Sequence, residues 1–141
     1  MEHLEQITAA IGLGHAGDRE AAREQLGRLW DATDDRQTRC AIAHYLADVQ
    51  DETADELAWD VRALDDVQDE AWLPSLHLNL ADDYRRLGDT TRADEHLGLA
   101  RKHLGLLGAD GYGDLVRGGV DQVAAALAAG NRDRLPTNPS T

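Results

Sequence analysis

Residues 74–104, PSLHLNLADDYRRLGDTTRADEHLGLARKHL, decide how this chain folds. Leu73 just before them, then Leu76, Leu80, Tyr84 and Leu87, recur at steps of three and four residues, which puts their side chains on one face of a helix. Gly88-Asp89 interrupts that pattern. Glycine ends a helix without strain in the left-handed conformation, and aspartate is a turn former. A second stripe follows, Ala93, Leu97, Ala100, Leu104 and Leu107. Ala81, Ala93 and Ala100 are small enough to let two antiparallel helices approach closely. The stretch reads as a helical hairpin.

Working outward, the same grammar occurs upstream. Ala10, Leu13, Gly17-Asp18, Ala22, Leu26 and Leu29 stand seventy-one residues before Ala81, Tyr84, Gly88-Asp89, Ala93, Leu97 and Ala100, close to two periods of about 34 residues. Between them a degenerate copy carries Ile42, Ala43 and Leu46, then Gln50-Asp51, then Ala54, Ala58, Val61 and Leu64 slipped by one residue. The polar run Asp65 to Glu70 reads as an insertion. Three hairpins are expected, over about 2–32, 35–66 and 72–107. Gly108-Ala109-Asp110-Gly111 is a connector to one more helix over about 112–129, whose Val116, Val120, Val123, Ala124 and Leu127 would cover the apolar face that the last hairpin leaves open. Gly118-Gly119 weakens that helix, so close packing is expected there. Residues 1–130 thus form one helical domain, and 131–141, with Pro136 and Pro139 among Thr, Asn and Ser, are expected to be a disordered tail.

The spacing of His77, Leu80, Ala81, Tyr84, Ala93, Leu97 and Ala100 resembles that of the tetratricopeptide repeat, with His77 for the usual aromatic, Ala81 for Gly, Leu97 for Phe and Gly105 for Pro. With the acidic tract before Trp72 and the run Asp110-Gly111-Tyr112-Gly113, the chain looks like a short, diverged, actinobacterial-type member. The resemblance implies an all-α fold, a right-handed α-α superhelix of three hairpins plus a C-terminal capping helix. It also implies an interaction module rather than an enzyme, in which the first helix of each hairpin lines a concave face. Residues one step off the buried stripes would point into that face: Ile7, Ile11 and His15; Gln37, Cys40, His44, Ala47 and Asp48; Ser75, Leu78, Asn79, Asp82, Arg85 and Arg86. His44, Asp48, Asn79, Asp82 and Arg86 are the expected partner-binding residues, able to hydrogen-bond a peptide backbone and pair with its charges. Asn79 matches a position that holds the ligand backbone in peptide-clamping members. Thr8 and Ala41 stand at the corresponding places, so a full carboxylate clamp is not expected.

Composition agrees with a small helical protein. The apolar share of 42% comes mainly from Leu and Ala, with no Phe, and strand formers never alternate over a useful length. The formal net charge of -13 disfavours nucleic acid and anionic membranes, whose phosphates this surface would repel, and favours a neutral or basic protein or peptide. It serves solubility equally well. Glu2 and Glu5 directly after Met1 do not make a signal peptide, no stretch approaches membrane length, and the single cysteine, Cys40, fits a reducing cytoplasm. Cys40 reads as a small packing residue, Trp30, Trp59 and Trp72 as anchors between hairpins, and His96 and His103 as surface residues.

Two other functions stay open. One is an effector-binding or catalytic helical domain in which His44, Asp48 and His77 hold a metal or small molecule. His44 and Asp48, four residues apart, share a helix face. The other is a homo-oligomerisation module that dimerises through an exposed hairpin face. No phosphate-cradling loop, metalloprotease helix pair, nucleophile elbow or paired-cysteine zinc motif occurs, so no catalytic, cofactor or metal residue is assigned.

Overall fold

The computed structural model describes residues 3–136, and all regular structure among them is helical. Seven α-helices follow one another: α1 (Leu4–His15), α2 (Arg19–Ala32), α3 (Arg36–Asp48), α4 (Thr53–Asp66), α5 (Leu73–Leu87), α6 (Thr90–His103) and α7 (Gly111–Ala128), with short 3-10 turns at Glu70–Trp72 and Leu104–Leu106. None of the described helices is long and apolar enough to cross a membrane. The chain divides into two compact units, one ending at Gln68 and the other beginning at Asp69.

In the first unit α1 packs on α2, α3 on α4, and α2 on α3. Ile7, Ala10, Ala22, Leu26, Ile42, Leu46 and Val49 form its buried core. Trp30 and Trp59 meet edge to face at its margin, ring centroids 5.2 Å apart and planes at 86°, the geometry that the aromatic quadrupole prefers. The contact ties the first hairpin to the second. Arg39 lies 3.5 Å over the Trp30 ring and Arg62 lies 4.3 Å over Trp59, adding cation–π attraction at both.

Two hairpin turns share one construction. Gly17 (φ 91°) and Gly88 (φ 83°) are left-handed. The amide of Asp18 donates to Leu13 O and that of Asp89 to Tyr84 O, both at 2.9 Å, while Gly17 N donates to Gly14 O and Gly88 N to Arg85 O, both at 3.1 Å. These are the paired bonds of a Schellman motif. Each aspartate then caps the next helix, Asp18 accepting from Ala21 N and Asp89 from Arg92 N, so one Gly-Asp pair closes one helix and opens another. The middle hairpin, which has Gln50-Asp51, is built differently. Val49 ends α3 at φ -104° and Glu52 precedes α4 without a side-chain cap bond. Arginines of α2 stand in: Arg23 donates to Val49 O at 2.7 Å and Arg19 to Gln50 O at 2.9 Å, and both pair with Asp51.

In the second unit α7 packs on both α5 and α6, around Leu78, Ala81, Leu97, Ala100, Val116, Val120 and Val123. Ala81, Ala93 and Ala100 are wholly buried, as close helix approach requires. Asp110 caps α7 by accepting from Gly113 N at 2.7 Å, and a Cβ on Gly113 would collide with the Gly108 carbonyl. Tyr112 of α7 meets Ser75 of α5, oxygen to oxygen at 2.7 Å. Gly119 is buried, but a Cβ on Gly118 would meet open space, so the close packing expected at the glycine pair is absent at its first member. Gly130 (φ 69°) ends α7 in a third Schellman turn, Asn131 N donating to Ala126 O and Gly130 N to Leu127 O. Among the described residues no helix follows it. Of the expected tail, residues 131–136 turn onto α5 and 137–141 lie outside the described residues.

Candidate functional site

Twelve of the fifteen residues of α5 are buried. A helix covered on nearly every side is ordinarily apolar, yet the last turns of α5 carry Asp82, Asp83, Arg85 and Arg86, each less than a tenth exposed. Their spacing lets them neutralise one another along the helix. Asp82 Oδ1 accepts from Arg85 Nε at 3.1 Å and from its terminal nitrogen at 2.7 Å. Asp82 Oδ2 accepts from Arg86 Nε at 3.2 Å, and Asp83 Oδ1 from the Arg86 terminal nitrogen at 3.0 Å. Two carboxylates and two guanidiniums sum to zero charge, the condition under which buried ions are tolerated.

Arg85 reaches further. One terminal nitrogen donates to Asn131 O at 2.6 Å and the other to Asp133 O at 2.9 Å. The intervening Arg132 turns back, its Nε donating to Arg86 O at 3.4 Å and its guanidinium lying against Gly88. A cation there meets the negative end of the α5 dipole and its last carbonyls. Leu135 packs, half-buried, on the apolar cluster of the unit. Asn131 Oδ1 accepts from Asp133 N at 2.8 Å, an Asx turn that shapes the segment.

At the other end of α5, His77 Nδ1 and His96 Nδ1 of α6 are 3.0 Å apart, so one ring donates and the other accepts. His96 and His103, expected at the surface, instead stack on His77, with ring centroids 5.3 and 6.1 Å away, and Tyr84 stacks on His96 at 5.5 Å. Burial, then the neighbouring His96 and His103, push the His77 pKa down to about 4. Burial lowers that of His96 as well, against an opposing pull from Glu95. The residue types were readable in the sequence, but their meeting across the Gly88-Asp89 turn needed the register of two helices.

The five expected partner-binding residues fall in both units. In the first, His44 is buried with its ring 5.1 Å from that of Tyr45, while Asp48 is half-buried and its carbonyl accepts from Arg19. In the second, Asn79, Asp82 and Arg86 are buried, and Asp82 and Arg86 are joined. Other residues expected on the same face are also engaged internally. Ile7 is in the first core, Gln37 Oε1 accepts from Gln68 N, and Ser75 meets Tyr112. Cys40 is wholly buried, its thiol pushed up to about 12 by burial and secondarily by Asp66, which leaves it without thiolate character near neutrality. Among the described residues no group of three or more His, Cys, Asp or Glu is arranged to hold a metal ion. The grip of Arg85 on residues 131–133 had no local signal, because its partners lie 46 and 48 residues away. No family model, curated protein or solved structure matches this chain.

Proposed function

We propose that this chain is a short tetratricopeptide-like array, a right-handed superhelix of three hairpins with α7 as its cap, and that it works as a cytoplasmic interaction module holding a neutral or basic protein or peptide segment. The observation that supports this reading is the recurrence of one Gly-Asp turn, with the same hydrogen bonds, at 17–18 and 88–89. A repeated supersecondary unit is the mark of repeat proteins, whose stacked helices present surface for partners. The polar chemistry of α5 supports the second half of the reading. A guanidinium fixed by a neighbouring carboxylate is preorganised to donate to backbone carbonyls.

The test is calorimetric titration of the full chain with a partner captured by cross-linking from its native host. Asn79→Ala and Arg86→Lys, each checked for an unchanged melting curve, are expected to weaken binding. Unchanged affinity in both would remove the partner from this face. Sensitivity to His44→Ala and to a chelator, with indifference to Asn79→Ala, would favour the metal-dependent alternative instead.

A further inference from the structure

The segment that follows α7 is held in an unusual way for a structural strap. Arg85 grips the carbonyls of residues 131 and 133, which any amino acid would supply. Side chains add selectivity, among them Arg132, seated at the C-terminal end of α5, and Leu135, on the apolar cluster. Residues 131–134 and 136 are otherwise exposed. Arg85 is held by two bonds to Asp82 of its own helix, neither of which involves the segment, so its donors are preorganised for the carbonyls they meet. Segments attached through few buried contacts open at low free energy.

From this we propose that residues 131–135 occupy, as a resident ligand, a peptide-binding site on α5. The site accepts in exchange a short non-helical peptide of a partner protein carrying a basic residue followed three positions later by leucine or a similar apolar residue. The spacing is that of Arg132 and Leu135. Charge agrees with the assignment: Arg132, Asp133 and Arg134 give the segment an excess of one positive charge within a chain of net charge -13, so a basic peptide is attracted to the body that holds it. The inference rests on the reading of the chain as a peptide-holding module and names one site and one ligand chemistry for it.

The probe is a fluorescein-labelled synthetic peptide of sequence GNRDRLP, residues 130–136, titrated by anisotropy into the full chain and into its Leu135→Asp variant. In the wild type the tethered segment competes at the high effective concentration of a short linker, so Leu135→Asp is expected to bind the free peptide at least about tenfold more tightly. Peptides carrying Arg132→Glu or Leu135→Asp are expected to lose at least about tenfold against the released protein, since each removes a side-chain contact that distinguishes one sequence from another. These arms compare peptides on one and the same protein, so a difference between them reads the site and not its folding; Arg85→Lys in the released background, with circular dichroism intact, should weaken the parent peptide likewise. Absence of saturable binding to the released protein, or equal binding of parent and altered peptides, overturns the proposal. If that happens while a captured partner still responds to Asn79→Ala, this site falls and the interaction module stands; if neither binds, the module falls with it.

Discussion

Acidifying the solution from pH 7 to pH 4 is expected to remove about 3 kcal/mol of stability through His77 alone. The residue is 7% exposed, its Nδ1 is 3.0 Å from that of His96, and the His103 ring stacks on it from farther off. A proton on His77 would have to be buried, and would sit beside the imidazoles of His96 and His103. Burial and those neighbours take its pKa from 6.5 to about 4. At ~1.4 kcal/mol for each tenfold change in proton affinity, that gap corresponds to roughly 3 kcal/mol. The unfolded chain binds a proton near pH 6.5 that the folded chain refuses until about pH 4, so the contribution is intact above pH 6.5 and is lost as pH falls through that window. His96, also lowered, acts in the same direction. Urea denaturation of wild type and His77→Gln at pH 7, 6, 5 and 4 isolates the effect, because the carboxylates are common to both. The wild type should lose about 3 kcal/mol more than the variant across the series. Equal losses, or a His77 ring proton titrating near pH 6.5 by NMR, would refute the reasoning.

Other substitutions have directions set by the same packing. Leu80→Ala, at a wholly buried position of α5, should destabilise by about 2 to 5 kcal/mol through lost burial and the cavity left behind, read as a lower urea midpoint. Gly118→Ala should stabilise by about 0.5 to 1 kcal/mol, because its Cβ meets open space within α7 and the unfolded chain loses freedom; a lower melting temperature would contradict the helix geometry at that residue. Trp59→Leu keeps an apolar side chain but removes the edge-to-face pair with Trp30 and the Arg62 contact; the aromatic pair should account for about 0.5 to 1.5 kcal/mol beyond the area lost, and that part should be absent in a Trp30→Leu background.

What the sequence by itself determined is what neighbours in the chain can settle. The apolar stripes placed the helices, and Gly17-Asp18 and Gly88-Asp89 placed two turns, because a left-handed glycine and a capping aspartate act within a few residues of themselves. The pairing of Asp82 and Asp83 with Arg85 and Arg86 was legible for the same reason, as i,i+3 and i,i+4 spacing. Whether those charges faced water or were buried was a matter for the tertiary structure, since burial belongs to whatever covers a helix and not to its own periodicity. Tertiary packing likewise decided the stack of His77, His96 and His103, the meeting of Trp30 with Trp59, and the hold of Arg85 on residues 131 and 133. Those contacts join residues that the chain separates by 19 or more positions, and only the packing of one helix against the next brings them within reach.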